Sequence, residues 1–325
     1  MPTALISGIT GQDGSYLTEL LLEKGYTIHG IVRRTSSLER SRLRHLFDDS
    51  SIYGKRLYLH YADLDDATAL RRLIVKVAPD EFYHLAGQSH VGLSFDIPES
   101  TCRLTAMATL GILEIIRDLD NPPRFYHASS AEVFGSPDSL PQNETTPFRP
   151  VTPYGCAKAF ATSMVTVYRN SFALHAVNGI AFNHESTRRG ENFVTRKICH
   201  AAAAIKAGKL DKLHLGDTTA KRDWGWAPDF VHGMWLALQH SPASEYVFAT
   251  GVQHSVQDIV DIAFNTVGLN WQEHLERDER FIRPADPCLL VGDASKARNE
   301  LGWKTTISFE DMIQLMTDKE LTRLS

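Results

Sequence analysis

Short apolar runs alternate with helical periodicity through the first half of the chain. TALISG (3–8), TIHGIVR (27–33), LYLHYADL (57–64), EFYHLAG (81–87), RFYHASS (124–130) and LHAVNGIAF (174–182) each read as a strand. Between them, SYLTELLLEKG (15–25) and DATALRRLIVKVAP (66–79) carry apolar residues at three- and four-residue spacing, and Gly25 closes the first. This alternation predicts an α/β fold, a doubly wound parallel Rossmann-type sheet with ligands beyond the carboxyl ends of its strands. After about residue 183 the alternation weakens. FVTRKICHAAAAIKAG, APDFVHGMWLALQH and SVQDIVDIAFNTVGL read as helices and KLHLGD as a strand, so a smaller mixed α/β substrate-binding part is expected there. The expected division is 1–183 for the Rossmann domain, with some later segments returning to it, and 184–325 mainly for the substrate-binding part.

The totals narrow this picture only slightly. The chain has 325 residues, with 43% hydrophobic and 22% charged, as in an ordinary globular protein. A formal net charge of −5 argues against nucleic acid or an anionic membrane as the main partner. Cys102, Cys156, Cys199 and Cys288 follow no metal-ligand spacing, so no metal site is expected and reduced thiols in a cytoplasmic protein are. The N-terminus runs straight into a strand without the basic and apolar regions of a signal peptide.

Chemistry first appears in GITGQDG, which sets Gly8, Gly11 and Gly14 between the first strand and the first helix. Glycines there permit a tight turn and let a pyrophosphate approach the helix start, which predicts dinucleotide binding. At the end of the second strand an acid would select NAD, whereas arginine accommodates a 2′-phosphate. Here Arg33 and Arg34 stand with Ser36 and Ser37 and no acid precedes them, so the expected cofactor is NADP. A solvated basic loop is the bland alternative. Arg40, Arg42 and Arg44 add more charge than one phosphate needs and suggest reach toward a neighbouring subunit. Asp63, at the end of the third strand, is a candidate for the adenine amine, though surface capping explains it nearly as well.

PYGCAK gives Tyr154 and Lys158, four apart and on one helix face if the helix starts at Pro153. A lysine there lowers the cost of a phenolate base. Ser130 precedes the pair at the tip of a strand, in HASSAEVFG, with Glu132 two residues later. Together with the glycine turn, this pattern resembles the extended short-chain dehydrogenase/reductase family.

Within it, the chain resembles the GDP-mannose 4,6-dehydratases over nearly its whole length. The stretches that carry the resemblance include GITGQDGSYLTELLLEKGY, QSHVG, AEVFG, PYGCAK, NGIAFNHES, RRGENFVTRK, KRDWGWAPDF and ATGVQHSV. The resemblance implies a lyase that converts GDP-mannose to GDP-4-keto-6-deoxymannose by an internal redox cycle on tightly held NADP. Ser130, Glu132, Tyr154 and Lys158 would be catalytic, with Glu132 removing the C5 proton that simple epimerases never touch. Thr10, Gln12, Asp13, Leu64, Leu85, Gln88, Ser89, His184 and Arg189 would join the glycines, Asp63, Tyr154 and Lys158 at the cofactor. Ser89, Ser130, Glu132, Asn183, Phe193, Val194, Lys197, Arg222 and Arg283 would meet the GDP-linked sugar. A homo-oligomer, tetramer or dimer, is implied, with helices around 98–118 and 154–171 forming the basic dimer.

Near the sugar the chain departs from the family pattern. Ser130 stands for threonine, Ala131 for serine, Gly87 for alanine, Ser100 for tyrosine, and RPAD for RPxE after Arg283. These departures leave open another GDP-linked hexose or heptose. A protein that binds NADP or a nucleotide sugar without turnover is the alternative of another class. A thymidine-sugar dehydratase is disfavoured, because that group carries Asp-Glu where this chain has Ala131-Glu132.

Overall fold

A computed structural model describes residues 1–33, 41–281 and 290–325. In chain order the strands are β1 (Thr3–Ser7), β2 (Thr27–Val32), β3 (Leu57–Tyr61), β4 (Glu81–His84), β5 (Arg124–Ser130), β6 (Ala176–Ala181), β7 (Asn183–Glu185), β8 (Leu213–Leu215), β9 (Lys221–Trp226), β10 (Glu245–Phe248), β11 (Gln253–Ser255) and β12 (Leu275–Arg277). Seven of them make one sheet in the order β10-β6-β5-β4-β1-β2-β3. Every pair in it is parallel. The strand order reverses between β2 and β4, on either side of β1, which opens a crevice at their carboxyl ends.

The apolar runs are continuous, not alternating, because both faces of this sheet are covered. On one face Leu5, Phe82, Phe125 and Ala176 pack with residues of the helices Ala67–Val77, Ala108–Arg117 and Pro153–Phe172. On the other, Ala4, Ile6, Tyr83, Tyr126 and Val177 pack with the helices Gln12–Glu23 and Ala227–Gln239. The helix from Pro153 is set by its sequence. Thr152 accepts the Gly155 N–H at 2.9 Å as its N-cap, and Pro153 occupies the first turn, where it has no N–H to lose. Such a cap contributes about 1 kcal/mol.

The second core joins the helices Val194–Lys206, Val256–Thr266 and Phe309–Leu324 to β8 and β9. Two small sheets accompany it, β11-β9-β7 and β12-β8. The segment FNHES does not extend the sixth strand as its position suggests. β6 ends at Ala181, Phe182 donates its N–H to Phe248 O at 2.9 Å, and Asn183–Glu185 leaves as β7 to pair with β9. Among the described residues no helix is long and apolar enough to cross a membrane.

Candidate active site

The glycine turn is as tight as its sequence suggests. Gly8 has φ +77°, and a Cβ on Gly14 would lie 2.3 Å from Gly8 O. An alanine at 14 would therefore push the helix start off the turn. The helix Gln12–Glu23 begins after Gly11 with no side-chain cap, so its first N–H groups face the crevice as an anion site. That cradle fits the pyrophosphate of a dinucleotide. Thr10 O accepts from Arg42 Nη1 at 3.1 Å, and Arg188 O accepts from Arg42 Nε at 2.7 Å, which ties the basic segment to the turn. Arg33 is exposed just past β2. Arg34, Ser36 and Ser37, assigned to the 2′-phosphate, lie outside the described residues, as does Arg283. Asp63 is exposed beyond β3, whereas Leu64 is 9% exposed and part of the core. Leu85 follows β4 and is half-buried. Gln88 Nε2 donates to His90 O at 3.0 Å, and Ser89 beside it is exposed.

Across the crevice, the end of β5 meets the start of the helix Pro153–Phe172. Ser130 Oγ accepts the Glu132 N–H at 3.3 Å, capping the short turn Ala131–Val133. Glu132, Tyr154 and Lys158 are all buried, at 9%, 8% and 6% exposure. Gly155 explains how the two elements approach so closely, since a Cβ there would lie 2.6 Å from Glu132 O. Ser94 Oγ accepts the Tyr154 N–H at 3.3 Å and braces the helix start. The four residues Ser130, Glu132, Tyr154 and Lys158 thus come together at one point.

Their electrostatics differ from the sequence expectation in one respect. Burial pushes the Tyr154 phenol up to about 12, assisted by the Glu132 charge and opposed by the Ser130 hydrogen bond and Arg189. Lys158, expected to bring the phenol down, is not what dominates. Its Nζ donates to Ala128 O at 2.6 Å and lies 5.8 Å from the Tyr154 ring centre. Burial lowers Lys158 itself to about 8, partly offset by the Asp13 charge.

Asp13 and His184 form an ion pair of 3.0 Å that joins the helix start to β7. Gln12 reinforces it, donating to His184 O at 3.1 Å and accepting from Ser186 Oγ at 2.8 Å. Burial opposes the Asp13 charge, but His184, Gln12 and Arg189 outweigh it and hold the carboxyl at about 2. Burial likewise opposes the His184 charge, and Asp13 outweighs it, so the imidazole is raised above 6.5. The histidine contribution to stability is full below 6.5 and disappears as pH rises through the raised value. The aspartate contribution is full above 3.8 and disappears as pH falls toward about 2. The melting temperature difference between wild type and His184→Gln should therefore be widest between about pH 4 and 6.5 and narrow on both sides. A difference that stays constant from pH 4 to 9 would count against the pair.

The remaining residues assigned to the sugar nucleotide divide into two groups. Phe193 lies 3.5 Å under the Arg189 guanidinium, which stands 3.0 Å from Glu185, and Phe193 also approaches His90. Val194 packs on the second core, and Asn183 is half-buried on β7. Lys197 lines a cavity of about 320 Å³ with Arg196, His200, Lys212 and Arg280 and with the carboxylates Glu191 and Asp278, which pair with Arg196 and Arg280, and its Nζ donates to His214 O at 2.7 Å. Arg222 is 7% exposed and is not among the residues lining that cavity. Sequence reasoning missed Arg196, His200, Lys212, His214 and Arg280. Only Lys212 and His214 carried a signal, two apart in KLHLGD, a stretch that reads as a strand, and so on one face of it. Arg196 and His200 are held by Glu320 of the last helix, at 3.1 and 3.0 Å, a partner more than 100 residues away.

Comparison with known proteins agrees over almost the whole chain. A family profile described as GDP-mannose 4,6 dehydratase matches residues 5–316. GDP-mannose 4,6 dehydratase 1 of Arabidopsis thaliana is 50% identical over 323 residues, covering 98% of this chain and 89% of that protein. GDP-mannose 4,6 dehydratase of Homo sapiens is 44% identical over 342 residues, covering 98% of this chain and 92% of that protein. Among solved structures, the dTDP-glucose 4,6-dehydratase DesIV from Streptomyces venezuelae, with NAD and TYD bound, is similar in fold. Its TM-score is 0.84 at 23% identity, covering 98% of this chain and 96% of that one.

Proposed function

The chain belongs to the GDP-mannose 4,6-dehydratase family, and on that premise we propose that it removes water from GDP-mannose to give GDP-4-keto-6-deoxymannose. The observation that carries this reading is the buried Glu132 carboxylate beside Ser130 and Tyr154. Oxidation at C4 needs a hydroxyl and a phenol; elimination across C5 and C6 needs a carboxylate as well.

The chain's own groups divide the work. Tyr154 takes the O4 proton while Ser130 hydrogen-bonds that oxygen. The positive charge of Lys158 lowers the cost of the phenolate against the burial that opposes it. A nicotinamide dinucleotide, which the turn of Gly8, Gly11 and Gly14 and the helix start after it would hold, would supply reversible hydride chemistry at C4 and C6. Glu132 takes the C5 proton, acidified by the new ketone, and passes a proton to the departing C6 hydroxyl, which leaves as water; when C6 is then reduced, C5 takes up a proton and Tyr154 gives up the one it received from O4, so both residues return to their starting states. Lys197, with Lys212 in the same cavity, would hold the nucleotide, with Phe193, Asn183, Arg222 and Arg283 as further contacts. Guanine offers a carbonyl acceptor that an ammonium can satisfy.

Pure protein incubated with a panel of nucleotide sugars tests this reading. Loss of one water from GDP-mannose is expected by mass spectrometry. No such loss from any GDP-sugar would overturn it. Relatives of the same name over nearly the full chain disfavour another GDP-linked sugar as the natural substrate.

The cofactor we infer is NADP. Arg33 stands past the end of β2 and Arg42 is tied to the glycine turn, with no acid in the selecting position. It should remain bound through purification, because the cycle leaves it unchanged. NAD released on denaturation would refute the arginine argument.

A homo-oligomer is the third part of the reading. Phe160 and Val167, seven apart and so on one face of the helix Pro153–Phe172, are 41% and 46% exposed, and Met107, in the helical segment packed on it, is 54% exposed. Such a row is suited to a self-complementary interface between two copies. The 33–44 segment would extend the assembly to a tetramer. Light scattering at micromolar concentration should show a dimer or tetramer, and a monomer would refute it.

A further inference from the structure

We infer that Thr162 and Asn178 are positioning residues for Tyr154 and Lys158, setting the axial register of the helix Pro153–Phe172 on the sheet by directional hydrogen bonds. This rests on the reading of Tyr154 and Lys158 given above and goes beyond it to residues that touch neither substrate nor cofactor in that reading.

The face of that helix which carries the catalytic pair continues as Thr162, Thr166 and Arg169, at spacings of four, four and three residues from Lys158. Each member of the stripe has a polar partner on the sheet. Thr162 Oγ1 lies 2.6 Å from Ser129 Oγ of β5 and donates to Lys158 O at 2.8 Å. Thr162 O accepts from Asn178 Nδ2 of β6 at 3.0 Å, and Thr166 Oγ1 lies 3.2 Å from the same amide. Thr166 Oγ1 also donates to Glu245 of β10 at 2.6 Å, and Arg169 forms an ion pair with that carboxylate. Burial opposes the Glu245 charge, but Arg169 and Thr166 outweigh it and keep the carboxyl below its usual range.

The sheet side of this seat is a single register row. Ser7, His84, His127, Asn178 and Glu245 are aligned across β1, β4, β5, β6 and β10. Two residues back, the row Leu5, Phe82, Phe125 and Ala176 is wholly apolar and buried. Asn178 is 0% exposed and Thr162 1%, so these amides and hydroxyls were taken out of water at a cost that an apolar row would not incur. Hydrogen bonds supply what apolar contacts do not, a preference for one helix position over another. A slip of one residue along the axis moves Tyr154 by about 1.5 Å and turns it by roughly 100°. Ser129 and Ser130 are adjacent on β5, so the strand that presents Ser130 to Tyr154 also holds Thr162 two turns further along the helix.

The test compares Asn178→Leu and Thr162→Val, which remove the directional groups at nearly constant shape, with Thr162→Ser, which keeps the hydroxyl. With GDP-mannose as substrate, kcat should fall on the order of 10²-fold in the first two, since displacements of about 1 Å have that effect. KM should stay within about threefold, because the nucleotide contacts come from other elements, and the melting temperature should fall by only a few degrees, the effect of a buried hydrogen bond lost. Thr162→Ser should keep kcat within about threefold of wild type. Asn178→Leu or Thr162→Val turning over at near-native rate would overturn the inference, as would a loss of kcat that only follows a loss of melting temperature. Should either variant fail to fold, Thr166→Val, which leaves the Arg169–Glu245 pair in place, decides by the same readouts with an expected loss of about tenfold. Wild type that makes no product removes the functional reading itself, whereas active wild type with equally active variants removes only the positioning role.

Discussion

Glu132→Gln should bind GDP-mannose and form almost no deoxy product. Glutamine keeps the size and a hydrogen-bonding oxygen but takes no proton from C5. General-base catalysis is worth roughly 10²–10⁴-fold, so the loss of product formation should be at least 10²-fold. The first oxidation at C4 does not need this carboxylate. Rapid mixing of the NADP-loaded variant with GDP-mannose should therefore still give the near-ultraviolet absorbance of reduced nicotinamide. In deuterated water, wild-type product should carry solvent deuterium at C5, and unreacted sugar recovered from the variant should carry none. The site makes the effect specific: Glu132 is 9% exposed, with Tyr154 and Ser130 beside it. A variant with near-native turnover would reduce Glu132 to a strand-end carboxylate and leave the dehydration without a base.

Tyr154→Phe should stop the sequence one step earlier. In the reaction proposed above the phenol accepts the O4 proton, and without it neither the absorbance change nor the product should appear, with a loss of a similar 10²–10⁴-fold or more. Folding should be little affected. Burial holds the phenol protonated, at about 12, and the backbone N–H of the same residue, which Ser94 receives, is untouched by the substitution. GDP-mannose binding measured by calorimetry should stay near wild type, since the cavity that contains Lys197 is built from other elements. If Tyr154→Phe gives the absorbance change and Glu132→Gln does not, the two roles assigned here are exchanged.

The two variants differ in what the chain itself shows about them. Tyr154 and Lys158 follow from a local rule, because residues four apart share a helix face wherever that helix lies. Glu132 follows from its place after an apolar run that ends in small polar residues. Both signals lie within a few positions of chain, and both survive folding: the helix starts at Pro153 and the strand ends at Ser130. The glycine turn is equally local, since φ +77° at Gly8 and the contact across Gly14 involve neighbours only a few residues away or on the adjacent strand.

By itself, then, the sequence determined the parallel sheet, the crevice at its carboxyl edge and the residues brought there by strand ends and helix starts. These depend on periodicity and on backbone conformations that neighbouring residues dictate. Tertiary structure decided what depends on distance between remote segments. It took Asn183–Glu185 out of the main sheet and into a second one, so that His184 faces Asp13 across 171 positions. It brought Glu320 to Arg196 and His200, and set Asn178 under Thr162. It also let burial dominate at Tyr154, opposed by the Ser130 hydrogen bond and the Arg189 charge, which the spacing of Tyr154 and Lys158 does not foretell. Hydrogen bonds and ion pairs between such segments require both partners to arrive from separate stretches of chain, and no pattern within either stretch specifies the other. Apolar periodicity can bury a helix face against a sheet; only the assembled packing selects which polar groups on that face find partners.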